Sequence, residues 1–510
     1  MRSDAPVMLG VFIAAIFVRA AAQIGTDFPL NDGGLFLAMA RELELHGWGL
    51  PASVPWNGVD VPFAYPPIGL YLTGGLTSLG VDFETLMRVF PLIASAAAAA
   101  LVLGIGRRLL DSRPGSIAAA LTYAFAPAAF TWSIAGGGVT RAPGMALALG
   151  TIWLLLTLLA RPTSARAVLV GIAGGATILT HPASAAFAAG SAAILILASL
   201  SSAGSRGPIL RSASLAAGVA FVVVLPWAWL VISQHGFGVL VDVPSNGPDL
   251  FNAMITLVAG RVTGLGTDPL GLLVIGIALI SIAQRRLLLP AWLLGASLLG
   301  VQYAIVPASL LIGSLIADAL RWAGSDDLAR RVVGRVAIGV VGVLLVTEAG
   351  IGTAVSRLEA SHLHPLGADR REAMRWIASN TPGEATVAVL TGDHWSTDPD
   401  SEWFYVLAER SSVATVQGSE WLGRDAFGRA ETRYAQLQRC TNSLPCLDAW
   451  LRDQPAAYLF IPKGRRHGPD SPTECCAGIR VEATRDRRYQ IVYDGPGATI
   501  LRTPTAAGGD

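Results

Sequence analysis

The stretch LMRVFPLIASAAAAALVLGIGRRLL, residues 86–110, decides the fold class of this chain. An α-helix needs about 20 consecutive apolar residues to cross a bilayer, and this run closes on a pair of arginines. The chain of 510 residues is 52% hydrophobic and only 14% charged, whereas soluble domains carry about 25% charged residues. The sequence therefore predicts a polytopic α-helical membrane protein. The formal net charge of +1, without a basic patch, excludes nucleic acid as the expected partner.

Apolar runs recur up to about residue 354 and predict about eleven spans. They cover approximately 7–25, 86–106, 115–133, 143–160, 167–180, 182–200, 212–232, 269–284, 287–301, 303–320 and 336–354. Arginine clusters fall at alternate span ends, which the positive-inside rule makes cytoplasmic. The N-terminus is then inside, and residues 26–85 form the first extracytoplasmic loop. Segment 66–81 is apolar but short and starts with two prolines, so we expect a helix on the outer surface.

The composition changes at about residue 355, so residues 1–354 are predicted to be the membrane domain and 355–510 a soluble α/β domain. Short apolar segments, ATVAVL, SVATVQ, AAYLFIP, YQIVYDG and ATILR, predict strands between helical patterns. All four cysteines follow residue 439, which is consistent with an oxidising, extracytoplasmic compartment. Four cysteines allow three connectivities, and their spacing does not choose among them.

The first loop opens with NDGGLFLAMARELELHGWGLP, residues 31–51, which predicts a helix with an apolar stripe. Asn31 or Asp32 is a plausible N-cap of this helix. Asp32 is also a candidate general base, because a helix N-terminus keeps a carboxylate ionised. The two roles remain open at this point.

Three segments in order, NDGGLFLAMARELELHGWGLP, FAYPPIGLYL and LMRVFPLIASAAAAALVLGIGRRLL, resemble the start of GT-C-type membrane glycosyltransferases. These are the relatives of protein O-mannosyltransferases and of the aminoarabinose transferase of lipid A. The resemblance implies that Asp32 is the catalytic base and that the donor is a sugar on a polyprenyl phosphate. The acceptor, a glycan, lipid or protein, would lie outside the plasma membrane.

The chain departs from this pattern at Gly33, where many members carry a second acid. Asp27 is the candidate that substitutes for it from across the loop. No cofactor is certain; a divalent cation is the candidate, and its ligands are unknown from the sequence.

Transfer from a lipid phosphate needs a base for the acceptor hydroxyl and positive charge for the departing phosphate. The candidate phosphate contacts on the outer side are Arg88, Arg141, His181 and Arg261. Arg88 is alternatively a headgroup anchor, and His181 a helix-end residue. Arg141 lies in GGGVTRAPG, whose glycines let backbone N–H groups approach an anion, or which simply forms a tight turn.

Residues 393–421, DHWSTDPDSEWFYVLAERSSVATVQGSEW, are dense in acids and tryptophans. Such residues suit carbohydrate contact, although an acidic loop over an aromatic mini-core would have the same composition. Together these features predict a membrane glycosyltransferase that inverts the anomeric centre. The alternatives are a transporter or flippase, and a sugar-binding module on an inactive membrane scaffold.

Overall fold

The computed structural model describes residues 4–21, 23–202, 206–241, 269–359, 363–464 and 475–504. The described part up to residue 359 is mostly helical. Its helices are α1 Ala5–Ala21, α2 Gly34–Leu45, α3 Ile68–Ser78, α4 Phe83–Leu109, α5 Arg113–Phe125, α6 Gly138–Ala160, α7 Ser164–Ile178, α8 Pro182–Ser202, α9 Gly207–His235, α10 Gly238–Val241, α11 Pro269–Ala283, α12 Leu288–Ser297, α13 Val301–Ala323 and α14 Leu328–Glu359.

Among these helices, α4, α6, α8, α9 and α13 are the five that are both long and apolar enough to cross a membrane within the described residues. Shorter apolar helices, α1, α7, α11 and α12, accompany them. The predicted fold class, a polytopic helical membrane protein, is confirmed. The number of eleven spans stays a prediction. Helix α12, which falls in the predicted span 287–301, has only ten residues. It is about 15 Å long, half the thickness of a hydrocarbon core.

The predicted span 115–133 is wrong as one continuous helix. Helix α5 ends at Phe125 and is followed by 3₁₀ turns at Pro127–Ala129 and Trp132–Ile134. The cause is Pro127, because a proline disfavours helical geometry in the residue before it, and Ala126 has extended backbone angles. The broken helix lets the chain turn inward ahead of α6.

Helix α4 anchors this part of the bundle. Asp82 caps its N-terminus by accepting a hydrogen bond from the Thr85 amide at 2.8 Å, and Arg107 and Arg108 lie in its last turn. Its small buried residues, Ala96 and Ala99 among them, let it pack closely on α1, α5 and α6. The N-terminal ends of α4 and α6 are thereby held together, and the candidate site lies near them.

The first loop contains α2, a hairpin of β1 Ser53–Trp56 and β2 Val59–Pro62, and α3. The predicted apolar stripe of α2, residues Leu35, Met39 and Leu43, packs in one core with the hairpin. Helix α3 has 11 residues, fewer than the roughly 17 that a crossing needs. Its length agrees with the prediction that segment 66–81 does not span.

The C-terminal part is an α/β domain, as predicted. Its helices are α15 Ala368–Asn380, α16 Pro399–Ala408, α17 Arg424–Gln438, α18 Leu444–Asp453 and α19 Ala477–Arg485, and its strands are β3 Thr386–Val389, β4 Ser411–Ser412, β5 Tyr458–Pro462, β6 Gln490–Asp494 and β7 Ala498–Arg502. The sheet order is β4-β3-β5-β7-β6. Strands β4 and β5 run parallel to β3, and β7 pairs antiparallel with both β5 and β6.

One predicted strand of this domain is wrong. SVATVQ, residues 412–417, contributes only its first residue to β4. The chain then leaves the sheet and reaches the first loop, where the Gln417 carbonyl accepts a hydrogen bond from Trp56 Nε1 at 2.8 Å. A tertiary contact thus overrides the local strand preference of this segment.

The four cysteines form two disulfides, Cys440–Cys446 and Cys475–Cys476. The structure therefore selects one of the three connectivities that the sequence left open. Both bridges belong to the core on one side of the C-terminal sheet.

The C-terminal domain packs directly on the first loop. Phe28 and Leu37 share a buried core with Trp403 and Phe404 of α16. The rings of Phe28 and Trp403 lie 4.6 Å apart, edge to face. The Asn31 amide donates to the His364 carbonyl at 2.9 Å. The segment that leads into Asp32 is thus held by the C-terminal domain; a domain boundary at residue 354 stays a prediction.

Candidate active site

Asp32 and Arg141 form a two-pronged ion pair. Arg141 Nη1 donates to Asp32 Oδ2 at 2.9 Å, and Nη2 donates to Oδ1 at 3.0 Å. The Gly137 amide also donates to Oδ1, at 3.0 Å, and Arg141 Nε donates to the Trp132 carbonyl at 3.0 Å. The planar guanidinium fits a carboxylate in this geometry. Two candidates that lie 109 positions apart in the sequence therefore meet directly.

The glycines before Arg141 make this approach possible. A Cβ atom on Gly137 would lie 2.6 Å from Asp32 Oδ2, and one on Gly136 would overlap the Asp32 carbonyl oxygen. The sequence predicted that backbone amides of GGGVTRAPG approach an anion. In this structure that anion is the carboxylate of Asp32.

Neither Asn31 nor Asp32 caps α2, so the capping interpretation is wrong. The N-cap residue is Gly33. Glu402 of α16 performs the capping: its Oε1 accepts from the amides of Gly33 at 3.2 Å and Leu35 at 3.4 Å. The reason is that Arg141 and Gly137 already occupy the carboxylate of Asp32.

Glu402 also explains the glycines that follow Asp32. A Cβ on Gly34 would overlap the Glu402 carbonyl oxygen, and one on Gly33 would lie 2.7 Å from Trp403. These glycines admit α16, which brings a carboxyl group of the C-terminal domain next to Asp32. Burial, and secondarily the charge of Asp32, raise the pKa of Glu402 to about 8, although the Gly33 and Leu35 amides oppose the shift. The Glu402 carboxyl is therefore mostly neutral at pH 7.

A cavity of about 300 Å³ joins these groups. Its volume is at the lower end of the range for small-molecule sites. The first loop, α6 and the C-terminal domain all contribute to its walls. The lining residues are Asn31, Asp32, Leu35, Phe36, Met39, Tyr65, Trp132, Arg141, Trp395, Ser396, Asp398, Glu402, Gln417, Glu420 and Trp421.

Asp27 does not join Asp32 at this cavity. Its side chain is 70% exposed and pairs with Arg371, whose guanidinium also lies 4.6 Å from the centre of the Phe28 ring. The role of a second acid that the sequence assigned to Asp27 is thus unsupported. Glu402 is an acid that the structure does bring to the cavity beside Asp32.

Two of the remaining candidates hold the backbone rather than line the cavity. Arg88 Nη2 donates to the Thr26 carbonyl at 2.6 Å and so ties the start of the first loop to α4. His181 Nδ1 accepts from the Ser184 amide at 3.3 Å, as a helix-end residue does. Burial, and then the charge of Arg141, lower the pKa of His181 to about 3, so its ring is neutral. Arg261 lies outside the described residues.

The sequence reasoning assigned no individual roles to the cavity residues of the C-terminal domain. Glu402 and Glu420 are the main omissions; burial raises the pKa of Glu420 to about 7. The available signal was the density of acids and tryptophans in residues 393–421, which contribute seven of the lining residues. Among the described residues, no group of three histidine, cysteine or acidic side chains could hold a metal ion. The divalent cation considered from the sequence thus gains no ligand set there.

The chain is similar to known glycosyltransferases in part of its sequence. Residues 64–229 match the family model of dolichyl-phosphate-mannose-protein mannosyltransferase. The match includes the Tyr65-Pro66-Pro67 segment, α4 and Arg141, whereas Asp32 precedes it. No curated protein sequence matches the chain significantly.

Solved structures extend this similarity to the fold. ArnT from Cupriavidus metallidurans in the apo state aligns with a TM-score of 0.57 and 14% identity over 100% of both chains. The archaeal oligosaccharyltransferase AglB from Archaeoglobus fulgidus, with an inhibitory peptide and a dolichol-phosphate, gives 0.56 and 13%, covering 91% of this chain and 70% of that one. The arabinofuranosyltransferase AftD from Mycobacteria gives 0.58 and 15%, covering 98% and 40%.

The fold is therefore that of the GT-C-type membrane glycosyltransferases, and the resemblance drawn from the sequence is confirmed. ArnT from Cupriavidus metallidurans also aligns in its complex with undecaprenyl phosphate, with a TM-score of 0.53 and 14% identity over 98% of this chain and 97% of that one. At these identities the structures establish the fold, and the activity has to be argued from the site.

Proposed function

We propose that the protein is a glycosyltransferase that moves one sugar from a polyprenyl phosphate to a hydroxyl group of an extracytoplasmic acceptor. The observation that carries this proposal is the Asp32–Arg141 ion pair on the wall of the cavity. A carboxylate and a guanidinium at one place supply the base and the phosphate contact that the reaction needs. Two structural relatives, ArnT bound to undecaprenyl phosphate and AglB in complex with a dolichol-phosphate, support the class of donor.

The reaction is a single in-line displacement. The acceptor oxygen forms a bond to the anomeric carbon while the bond from that carbon to the phosphate oxygen breaks, which inverts the anomeric centre. Asp32 takes the proton of the acceptor hydroxyl. Arg141 stabilises the polyprenyl phosphate, which gains negative charge as it leaves.

The ion pair has to open for this step, because Arg141 occupies both oxygens of Asp32. Arg141 keeps two other contacts: its Nε bond to the Trp132 carbonyl, and the ring of Trp132 at 5.8 Å. These hold the guanidinium at the cavity while its Nη groups exchange the carboxylate for the donor phosphate. Asp32 retains the Gly137 amide at 3.0 Å, so the free carboxylate stays in position.

The site and the domain formed by residues 355–510 are assigned to the outer face of the plasma membrane. Positive loops at the opposite span ends support this orientation. The two disulfides support it as well, because such bonds persist in oxidising compartments. A polyprenyl chain in the bilayer would present its phosphate at this level.

A transporter or flippase has less support. Transporters place their charged residues near mid-membrane, at the interface of structural repeats. Here the charged residues of the cavity collect where the first loop meets the C-terminal domain, and Asp398, Glu402 and Glu420 belong to that domain.

The proposed function is tested with the full-length protein in detergent, a panel of undecaprenyl-phosphate hexoses and pentoses, and an envelope fraction as acceptor. Asp32→Asn keeps the size of the side chain but cannot take the proton, so transfer should fall by about 10² or more at wild-type expression. Asp27→Asn is the matched control, because it makes the same change outside the cavity, and it should reduce transfer much less. Equal activity of wild type and Asp32→Asn would exclude Asp32 as the base.

A further inference from the structure

Four side chains around the cavity each have one buried oxygen without a hydrogen-bond partner in the described structure. These atoms are Asn31 Oδ1, Glu402 Oε2, Gln417 Oε1 and Glu420 Oε2. Asn31 and Glu402 are only 3% exposed as whole residues. A buried polar atom without a partner costs about 1–3 kcal/mol. A hydroxyl-bearing ligand that reached these four atoms would therefore gain affinity from the hydrogen bonds it supplied.

The other polar atom of Asn31, Gln417 and Glu402 is bonded to the protein. Asn31 Nδ2 donates to the Ser396 carbonyl at 3.0 Å, and Gln417 Nε2 donates to the Trp395 carbonyl at 2.8 Å. Glu402 Oε1 accepts from the amides at the start of α2. The unpartnered oxygens are therefore held in place by the remaining bonds, as a preorganised binding site requires.

Three indole rings line the same cavity, and two of them, Trp395 and Trp421, belong to the C-terminal domain. Trp421 packs edge to face on Tyr65, with centroids 5.7 Å apart. Trp395 is held by Phe427 at 5.7 Å and by an Nε1 hydrogen bond to Glu431 at 3.2 Å. Indole faces next to fixed polar oxygens suit a sugar ring, which has apolar C–H faces and an edge of hydroxyl groups.

The charges of the cavity narrow the class of ligand. Arg141 is the one cation among its described lining residues, and it is paired with Asp32. Asp398, Glu402 and Glu420 add further carboxyl groups on the side that the C-terminal domain forms, away from the proposed phosphate contact of Arg141, and there they disfavour an anionic acceptor. A hydroxyl group both donates and accepts, so it satisfies a carboxyl oxygen whether or not that carboxyl carries a proton.

We propose that Asn31, Glu402, Gln417 and Glu420, with the rings of Trp395 and Trp421, form the acceptor subsite, and that the acceptor is a neutral, hydroxyl-rich carbohydrate. The description of this site as an acceptor subsite rests on the proposed function. Binding of a carbohydrate at the site does not itself require a transfer reaction. The subsite places the acceptor hydroxyl next to Asp32, on the side of the cavity that the C-terminal domain forms.

The test is a binding experiment with the full-length protein in detergent. The probes are an array of neutral oligosaccharides, a matched array of sulfated oligosaccharides and a set of uncharged peptides. We expect retention on neutral oligosaccharides, weakened at least about tenfold by Trp421→Ala and by Glu420→Ala, because each removes a group that contacts the sugar. Glu420→Gln keeps an acceptor oxygen and should bind nearly as the wild type does. Asp425→Ala is the control, an exposed acid of α17 in the same domain.

The outcomes separate this inference from the proposed function. If neutral oligosaccharides bind through Trp421 but no donor of the panel supports transfer, the acceptor subsite stands as a carbohydrate site and the transferase proposal fails. If transfer occurs but peptides or sulfated oligosaccharides bind instead, the subsite assignment is overturned. Binding that survives both Trp421→Ala and Glu420→Ala also overturns it. Thermal unfolding of each variant shows whether it is folded, and Glu420→Gln decides the case if an alanine variant is not.

Discussion

The indole N–H of Trp403 donates a hydrogen bond to the Asn31 carbonyl oxygen at 2.8 Å. Trp403 is 1% exposed and Asn31 is 3% exposed, so the bond is shielded from water. Asn31 has φ of 55°, a left-handed conformation that non-glycine residues seldom adopt. The C-terminal domain thus holds the residue immediately before Asp32 in this conformation and sets the direction in which that carboxylate leaves the backbone.

Trp403→Phe should lower both stability and transfer. It leaves the Asn31 carbonyl buried without its partner, which costs about 1–3 kcal/mol of unfolding free energy. Because Asp32 loses its support, the turnover number should fall more than the donor affinity does. Thermal unfolding and steady-state transfer measure the two effects.

Trp450→Phe is the matched control for this prediction. Trp450 Nε1 donates to the Arg433 carbonyl at 3.2 Å in the core on the other side of the sheet, away from the cavity. It should lose comparable stability and keep its transfer activity. A similar loss of activity in both variants would mean that Trp403 acts only through global stability.

Glu402→Gln should change how stability depends on pH. The pKa of Glu402 is raised from 4.5 to about 8 in the folded chain. Between these values the folded state binds more protons than the unfolded state, so this group makes the wild type less stable as pH rises from about 4.5 to 8. Glutamine has no such titration. The unfolding free energy of the variant should therefore increase relative to that of the wild type by a few kcal/mol as the pH rises over this window. A difference in unfolding temperature that stays constant from pH 5 to 8 would contradict the prediction.

The sequence predicts those elements that local pattern determines. The length of apolar runs identifies α4, α6 and α13, and the helix 368–380 ends where Thr381-Pro382-Gly383 stops it. Local patterns fail to predict the structure where a contact with a distant part of the chain determines it. In residues 412–417, the hydrogen bond from Trp56 of the first loop to the Gln417 carbonyl accompanies the departure of the chain from the sheet.

The candidate site divides in the same way. Asp32 and Arg141 were found because both lie next to the ends of predicted spans, and the predicted topology places those ends at one level of the membrane. Glu402 was not, because it is 369 positions from the Gly33 amide that it contacts. No local pattern indicates which acid of an acid-rich segment will lie against a helix N-terminus so far away in the chain. Asp27 was assigned the role of a second acid because it is close to Asp32 in the sequence, but its side chain does not reach the cavity.

Arg141→Gln should reduce turnover more than donor binding, because the charge on the departing phosphate develops in the transition state. The expected loss is about 10²-fold, and Arg141→Lys should restore part of it, because lysine cannot make a two-pronged contact. Arg375→Gln, an exposed arginine of α15 whose side chain is 58% accessible, is the control. Full rescue by lysine would show that only the charge at this position matters.

The orientation of the chain is tested with single introduced cysteines and a membrane-impermeant thiol reagent on whole cells. Asp60 in the hairpin and His394 in the C-terminal domain are exposed and should be labelled as cysteines. Ser164, at the start of α7, should be protected until the cells are opened. If Ser164→Cys alone were labelled in intact cells, the topology would be the opposite of the proposed one, and the site would have no access to an extracytoplasmic acceptor.

Gly137→Ala isolates the contact between Asp32 and the turn before α6. Gly137 has φ of −65°, so alanine causes no backbone strain, but its Cβ would lie 2.6 Å from Asp32 Oδ2 and 3.0 Å from Arg141 Nη2. The ion pair has to shift, and a shift of this size at a reacting group lowers transfer by about 10²-fold. Gly150→Ala is the matched control, because Gly150 lies within α6 and has no atom within 4 Å of the added methyl group. It should keep full transfer and gain slightly in stability from the helix preference of alanine. Equal transfer by the two variants would mean that the position of Asp32 against Gly137 does not limit the reaction.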